Sequence, residues 1–184
     1  MKDLEMKIAG VERVLPYCEI NENLGIFAFV IFGDVELTTA CAKELIKKLP
    51  EHDIMIAPEA KSIPLIYEMA KQMGHDKYII ARKVPKLYMK DIFSVQVRSI
   101  TTESMQTLYI DGNDAKAMAG KRVIIIDDVI STGESLKAVE KLVEEAGGNI
   151  VGKVAILAEG KAAERDDIIY LEKLPLYANG ELIK

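Results

Sequence analysis

The 184-residue chain has no tryptophan, few aromatics of any kind (6%), two cysteines and two histidines. Cys18 and Cys41 stand at no paired spacing. Neither a disulfide framework nor a thiolate metal cluster is expected, and both read as reduced thiols of a cytoplasmic protein. His52 and His75 fall in no motif and read as surface turn residues. Long apolar runs are missing too: the longest, Ile26 to Phe32, is far too short to cross a bilayer, so no membrane partner is expected. The charged start (Lys2, Asp3, Glu5, Lys7) carries no signal-peptide pattern. Positive charge is in deficit, 24 Lys and Arg against 29 Asp and Glu for a net −5, whereas a general nucleic-acid binder is usually basic. No nucleic-acid partner is expected, and there is no internal repeat or low-complexity segment. At 49% hydrophobic and 29% charged, the composition is that of one globular domain, 1–184, long enough to bury a core.

What is present is an alternation of strand and helix patterns. Residues 11 to 32 predict strands, broken by the turn signal Asn21-Glu22-Asn23 and Gly25. Asp34 suits the N-cap of a helix running to about Leu49, with Leu37, Cys41, Leu45, Ile46 and Leu49 on its buried stripe and Pro50 ending it. Ile54 to Ala57 predicts a short buried strand. A helix follows with Ile66, Met69, Ala70 and Met73 inward and Gly74 closing it. Tyr78 to Ala81, then 93–99 and 105–111, predict extended segments, and Asn149 to Leu157 predicts the last core strand. Such alternation predicts an α/β chain with a parallel sheet and right-handed crossovers, whose ligands bind beyond the carboxyl ends of the strands.

One stretch carries chemistry: Val123-Ile124-Ile125-Ile126-Asp127-Asp128-Val129-Ile130-Ser131-Thr132-Gly133-Glu134-Ser135. The β-branched run is continuous rather than alternating, as in a parallel strand buried on both faces, and it stops at two carboxylates. Leu136, Val139, Leu142, Val143 and Ala146 then recur at helical spacing until Gly147-Gly148. Between strand and helix, the amides of 131–135, the helix dipole and the hydroxyls of Ser131, Thr132 and Ser135 can surround a phosphate, with Gly133 allowing close approach. Asp127 and Asp128 are poor phosphate ligands, but they accept hydrogen bonds from sugar hydroxyls. A mere helix cap accounts for one hydroxyl, not for two tandem acids after a buried strand. The pattern points to a ligand with both a phosphate and a sugar diol.

The segment Asp127 to Ser135 resembles the phosphoribosyl pyrophosphate (PRPP) motif of type I phosphoribosyltransferases, with Glu134 where Gly is commonest. The resemblance implies a Rossmann-like parallel sheet flanked by helices (approximately 33–158) and a small hood from the chain ends (approximately 1–32 and 159–184). It implies that Asp127 and Asp128, the catalytic pair, contact the ribose hydroxyls. Val129, Ile130, Ser131, Thr132, Gly133, Glu134 and Ser135 would hold the 5′-phosphate.

Two other strand ends extend the likeness. In Ala57-Pro58-Glu59-Ala60-Lys61-Ser62, spacing alone reads as a loop with an exposed Lys and a Ser cap. Glu59-Ala60-Lys61-Ser62 resembles the pyrophosphate loop of adenine and xanthine phosphoribosyltransferases, with Ser62 where Gly is usual. That implies pyrophosphate binding by Glu59, Ala60, Lys61 and Ser62, and in the family this loop often contains a non-proline cis peptide. Arg82, Lys83 and Lys86 crowd the next strand end. A solvated basic turn and an anion site fit equally well until Arg82-Lys83 is seen to resemble the family's Arg-Lys pair, which reaches the pyrophosphate, often across a dimer interface. Lys86-Leu87 is similar to the adenine enzymes. Residues 84 to 107 would then be a mobile loop, in which 99–104 resembles the xanthine enzymes and Glu103 lies near the adenine enzymes' loop glutamate.

For the base, the hood is implied. Ala158-Glu159-Gly160 occupies the place where xanthine enzymes carry Glu-Lys. Glu159 would accept hydrogen bonds from an exocyclic amine or a protonated ring nitrogen, which favours adenine. Phe27 is the aromatic candidate to stack on the base, with Phe29, Tyr170 and Tyr177 beside it, although such aromatics are more often core. The N-terminal segment lacks the Pro-Gly and Phe-Arg-Asp patterns of the adenine enzymes. The implied activity is Mg²⁺-dependent transfer of phosphoribosyl from PRPP to a purine in salvage, by a homodimer, with Mg²⁺ held mainly through PRPP and no direct protein ligand. The alternatives are a xanthine or hypoxanthine/guanine transferase, an orotate or other non-purine transferase, and a non-catalytic PRPP-sensing regulator. Such regulators add a helix–turn–helix domain, and the stretch before residue 34 shows none.

Overall fold

The computed structural model describes residues 3–98, 105–179 and 181–183. In chain order these form β1 (Leu4–Ile8), β2 (Val11–Leu15), β3 (Tyr17–Asn21), β4 (Leu24–Phe27), α1 (Val35–Ile46), β5 (Ile54–Pro58), α2 (Ile63–Met73), β6 (Ile79–Ala81), β7 (Phe93–Arg98), β8 (Met105–Ile110), α3 (Gly112–Met118), β9 (Arg122–Ile130), α4 (Glu134–Glu145), β10 (Asn149–Glu159), a short 3₁₀ helix (Gly160–Glu164), β11 (Ile169–Leu174), β12 (Leu176–Ala178) and β13 (Glu181–Ile183).

The central sheet has the order β11-β10-β9-β5-β6, with every neighbouring pair parallel. The expected parallel α/β sheet is therefore present. β9 alternates its side chains between two covered faces. Val123 and Ile125 join Leu136, Val139 and Leu142 of α4, while Ile124 and Ile126 join Leu37, Cys41 and Leu45 of α1 and Leu65, Ile66 and Met69 of α2. Burial on both faces is why the run is apolar without alternation. Asp34 caps α1 by accepting from the Leu37 amide at 3.0 Å, and Gly74 closes α2 in the left-handed conformation (φ 72°).

Strand order locates the ligand crevice. β5 leads through α2 to β6 on one side, whereas β9, on the other side of β5, leads through α4 to β10. The chain leaves two adjacent strands in opposite directions, and ligands of such sheets bind at that switch point, beyond the carboxyl ends. The loops 59–62 and 131–133 flank it.

Three elements depart from the sequence reading. β9 does not stop at the acids but runs through them to Ile130. β10 is not the last core strand, because β11 adds a fifth at the edge. α3, unanticipated, starts where Asp111 accepts from the Asn113 amide at 2.9 Å. β7 and β8 form an antiparallel ribbon, and Tyr109 of β8 also bridges to Arg82.

Segments near both chain ends meet in a separate antiparallel sheet, β13-β12-β4-β3, where the Tyr17 ring meets Phe27 and Tyr177 edge-on at 5.9 and 5.8 Å. The β1–β2 hairpin is tied to the start of α1 by Arg13, whose fork grips Asp34 at 2.7 and 2.9 Å and reaches Glu36 at 2.8 Å. Among the described residues, no helix is long and apolar enough to cross a membrane.

Candidate functional site

Asp127 and Asp128 lie within β9 and are almost fully buried, 7% and 4% exposed. Two adjacent carboxylates cannot be buried without compensation. It comes from the loop after β5, far away in sequence. Ser62 Oγ donates to Asp127 Oδ1 at 2.6 Å, and Lys61 Nζ stands 2.8 Å from Asp128 Oδ2. The Asp128 amide also donates to Asp127 Oδ1, at 2.9 Å. Burial first, and the Asp128 charge second, push the Asp127 carboxyl well above the usual carboxylate range, against the pull of Ser62.

Beyond the acids, Val129 and Ile130 still belong to the strand, and the Ile130 side chain is buried. Gly133 then adopts the left-handed conformation (φ 78°) at the head of α4, where no side chain makes a cap bond. The Glu134 amide reaches Thr132 Oγ1 only at 3.4 Å, a weak contact. The first amides of a helix with no strong cap, at the positive end of its dipole, favour an anion. A cavity of about 110 Å³ lies here, lined by Asp127 and by Val129 through Leu136. Ser131, Thr132, Gly133, Glu134 and Ser135 thus all border one hollow beside the acids.

In the loop after β5 the Glu59–Ala60 peptide is cis. Ser62 occupies the N-cap position of α2 but makes no cap bond, because its hydroxyl is turned to Asp127. The simple reading of a capping serine therefore fails. Glu59 is engaged by the next strand end. Its Oε1 accepts from the Lys83 amide at 2.6 Å, and its Oε2 sits 2.8 Å from Arg82 Nε. Accepting from the Lys83 amide and paired with Arg82, this carboxylate ties the loop after β5 to the basic turn after β6. The Arg82 Nε–H is not aimed along its contact, nor is Lys61 along its contact with Asp128, since both Arg82 Nε and Asp128 Oδ2 lack a properly directed hydrogen bond among the described residues. Lys83 is exposed and Lys86 half-exposed.

The sequence reading missed Arg165. Its Nε and Nη2 hold Asp167 at 2.8 and 2.7 Å, while Nη1 lies 2.9 Å from where a Cβ on Gly133 would stand. Asp167 also takes Lys153 at 2.7 Å, and these two cations hold its carboxyl well below the usual range. No motif marks Arg165, which caps the end of the short 3₁₀ helix after β10. Of the proposed base contacts, Glu159 ends β10 half-buried, whereas Phe27 is 2% exposed in the core and turns no open face to a base. Glu103 lies outside the described residues. A larger hollow of about 720 Å³ runs along β1 and β2, but its Arg13 is committed to Asp34 and Glu36. Among the described residues, no three Asp, Glu, His or Cys side chains are grouped to hold a metal ion.

Residues 35–174 match the phosphoribosyl transferase domain. The chain is 32% identical over 117 residues to an adenine phosphoribosyltransferase of Petrotoga mobilis, a match covering 61% of each protein. It is 34% identical over 138 residues to a hypoxanthine/guanine phosphoribosyltransferase of Methanococcus voltae, covering 71% of this chain and 69% of that one. The chain thus spans about 61% of the length of the Petrotoga relative. The crystal structure of adenine phosphoribosyltransferase from Thermoanaerobacter pseudethanolicus shares the fold, with a TM-score of 0.71 and 23% identity over 87% of this chain and 95% of that one.

Proposed function

The chain belongs to the phosphoribosyl transferase family, and from that premise we propose that it transfers the 5-phosphoribosyl group of PRPP to a purine base, adenine foremost, releasing pyrophosphate. The carrying observation is that the acids of β9 and the loop after β5 meet at the switch point, through Ser62–Asp127 and Lys61–Asp128. In this reading the head of α4 takes the 5′-phosphate, and Asp127 and Asp128 accept from the ribose hydroxyls. Lys61, Arg82 and Lys83, with the loop amides, receive the pyrophosphate. The two misdirected ion contacts favour that exchange, since phosphate oxygens offer both cations better geometry than the carboxylates they now face.

The chemistry is a displacement at the ribose C1. A purine nitrogen forms the new bond as the C1–O bond to pyrophosphate breaks, and the base's N–H proton leaves to water or to the departing pyrophosphate. Positive charge develops on the sugar next to two buried acids, so the chain's contribution is alignment, charge complementarity and exclusion of water. Mg²⁺ is commonly held by substrate phosphates and water rather than by a protein cage. Carried in on PRPP, it would neutralise the leaving group. We place Glu159 at the base, and the protein in the cytoplasm as a homodimer.

Turnover of PRPP with adenine, guanine, hypoxanthine and xanthine tests the proposal. Adenine should be the best acceptor, and failure with all four would reject a purine transferase. The Methanococcus relative favours hypoxanthine and guanine as the second reading, and preference for either would establish it. PRPP-dependent DNA binding without turnover would point instead to a regulator.

A further inference from the structure

We infer that Ser62 is a positioning residue for the sugar-binding acids: its buried hydroxyl, donated to Asp127 Oδ1, fixes which oxygen of that carboxylate faces the ribose. The inference deepens the phosphoribosyl-transfer reading and rests on it. Ser62 stands where the loops it resembles usually carry Gly, so this donor is a feature of the present chain.

The geometry is specific. Ser62 is 1% exposed and begins α2, where a serine ordinarily caps the helix, yet its hydroxyl forgoes the cap for Asp127. At 2.6 Å the contact has the length of a hydroxyl bonded to a charged oxygen. Oδ1 also accepts from the Asp128 amide, so two donors occupy it and Oδ2 is the oxygen left for a ligand hydroxyl. Ser62 is the side chain that bonds the ionised form of Asp127, whereas a hydrogen bond shared with the Asp128 side chain favours the protonated form. The charges around it are accounted for: Asp128 is its neighbour and faces Lys61, and Glu59 is engaged with Arg82 and the Lys83 amide. Glu134 begins α4 across the hollow, and β10 presents Ala155 opposite Asp127. A neutral donor bonded to the ionised form opposes both burial and the repulsion from Asp128. Removing it leaves only the Asp128 amide to oppose those effects, and a protonated Asp127 would be free to turn.

The test follows the Asp127 side-chain carboxyl by ¹³C NMR against pH in the ligand-free protein, for wild type, Ser62→Ala and Ser62→Thr. Ribose 5-phosphate binding is measured calorimetrically over the same range. In Ser62→Ala the Asp127 midpoint should rise by about one pH unit, the size expected for one hydrogen bond to a charged group. Ribose 5-phosphate should then bind about tenfold more weakly on the acid side and nearly normally well above the midpoint. Ser62→Thr, which keeps a hydroxyl, should restore both. Should Ser62→Ala fold poorly, Ser62→Gly supplies the same comparison. An Asp127 midpoint identical in wild type and variant overturns the inference, whether or not the sugar binds. A shifted midpoint in a wild-type protein that never binds ribose 5-phosphate overturns the phosphoribosyl reading instead, and the positioning role with it.

Discussion

The loop after β9 and the loop after β5 each carry the chain from a buried strand end into a helix of 12 or 11 residues, on either side of one crevice. The first works with its backbone. Gly133 takes a left-handed turn and, as the N-cap, gives α4 no side-chain cap bond, and the backbone amides at the helix start are the resource. The second works with its side chains. Glu59, Lys61 and Ser62 each reach another strand end, and α2 likewise begins without a side-chain cap bond because the candidate hydroxyl is spent elsewhere. One helix start is held open for an anion. The other gives up its cap so that two buried acids can be held. A backbone site tolerates side-chain variation, such as Glu134 where Gly is commonest. A side-chain site should respond to the identity of each residue.

The largest effect expected is at the acids themselves, which the two loops share. Asp127→Asn with Asp128→Asn removes two charged acceptors of the ribose diol. At about 1.5–3 kcal/mol for each charge-assisted hydrogen bond, ribose 5-phosphate should bind a hundredfold more weakly or worse. The fold should survive. Asp127 holds its proton more tightly folded than unfolded, so its contribution to stability falls as pH rises from about 4 through the raised value. The Asn variant lacks that decline. Its melting temperature near neutral pH should match or exceed wild type, with the gap narrowing at acid pH. Unchanged sugar affinity would remove the acids from the site.

Gly133→Ala tests the backbone half. An alanine at φ 78° costs about 1–2 kcal/mol, and its Cβ would stand 2.9 Å from Arg165 Nη1. The guanidinium end can move, so the conformational cost should dominate. Phosphate-bearing ligands should bind about tenfold more weakly, with little change in melting temperature beyond that cost. Adding Arg165→Ala separates the causes. Recovery of affinity in the double variant would assign the loss to the clash with Arg165 rather than to the turn.

The same contrast explains what could be read from the chain. The loop after β9 was legible because its parts are local: a β-branched run, two acids, small hydroxyl residues, one Gly and a helical stripe lie within a few turns of sequence. The stripes of α1 and α2 were legible for the same reason, being set by the 3.6-residue period. The end of β9 was misplaced because Asp is depleted in strands, and what lets two of them sit there is Lys61 and Ser62, donors no local pattern connects to them. Glu59 looked like part of an anion loop because its partners, Arg82 and Lys83, belong to the next strand end. β11 was assigned to the chain-end hood because only pairing with β10 places it in the central sheet. α3, at seven residues, is too short to show a stripe.

The smallest effect is the most discriminating, because two accounts of the loop after β5 differ there in sign. If Glu59 touched pyrophosphate as part of its binding loop, Glu59→Gln would weaken pyrophosphate binding or leave it unchanged. If Glu59 braces the basic turn, the glutamine oxygen can still accept from the Lys83 amide, so the turn keeps its place. A negative charge beside the anion site is lost, and Arg82 is released from its misdirected ion contact. Two charges several ångströms apart in a partly hydrated site interact by about 1 kcal/mol, so pyrophosphate should bind the Gln variant a few-fold more tightly. The gain should shrink with added salt, since Glu59 and Arg82 are 15% and 26% exposed and their charges are screened in part. Glu59→Ala removes the brace together with the charge, and the loosened turn should cancel the gain. Calorimetric titration of pyrophosphate into the three proteins at low and high salt reads this directly. Tighter binding in Gln but not in Ala identifies a brace, and weaker binding in both restores Glu59 to the ligand set.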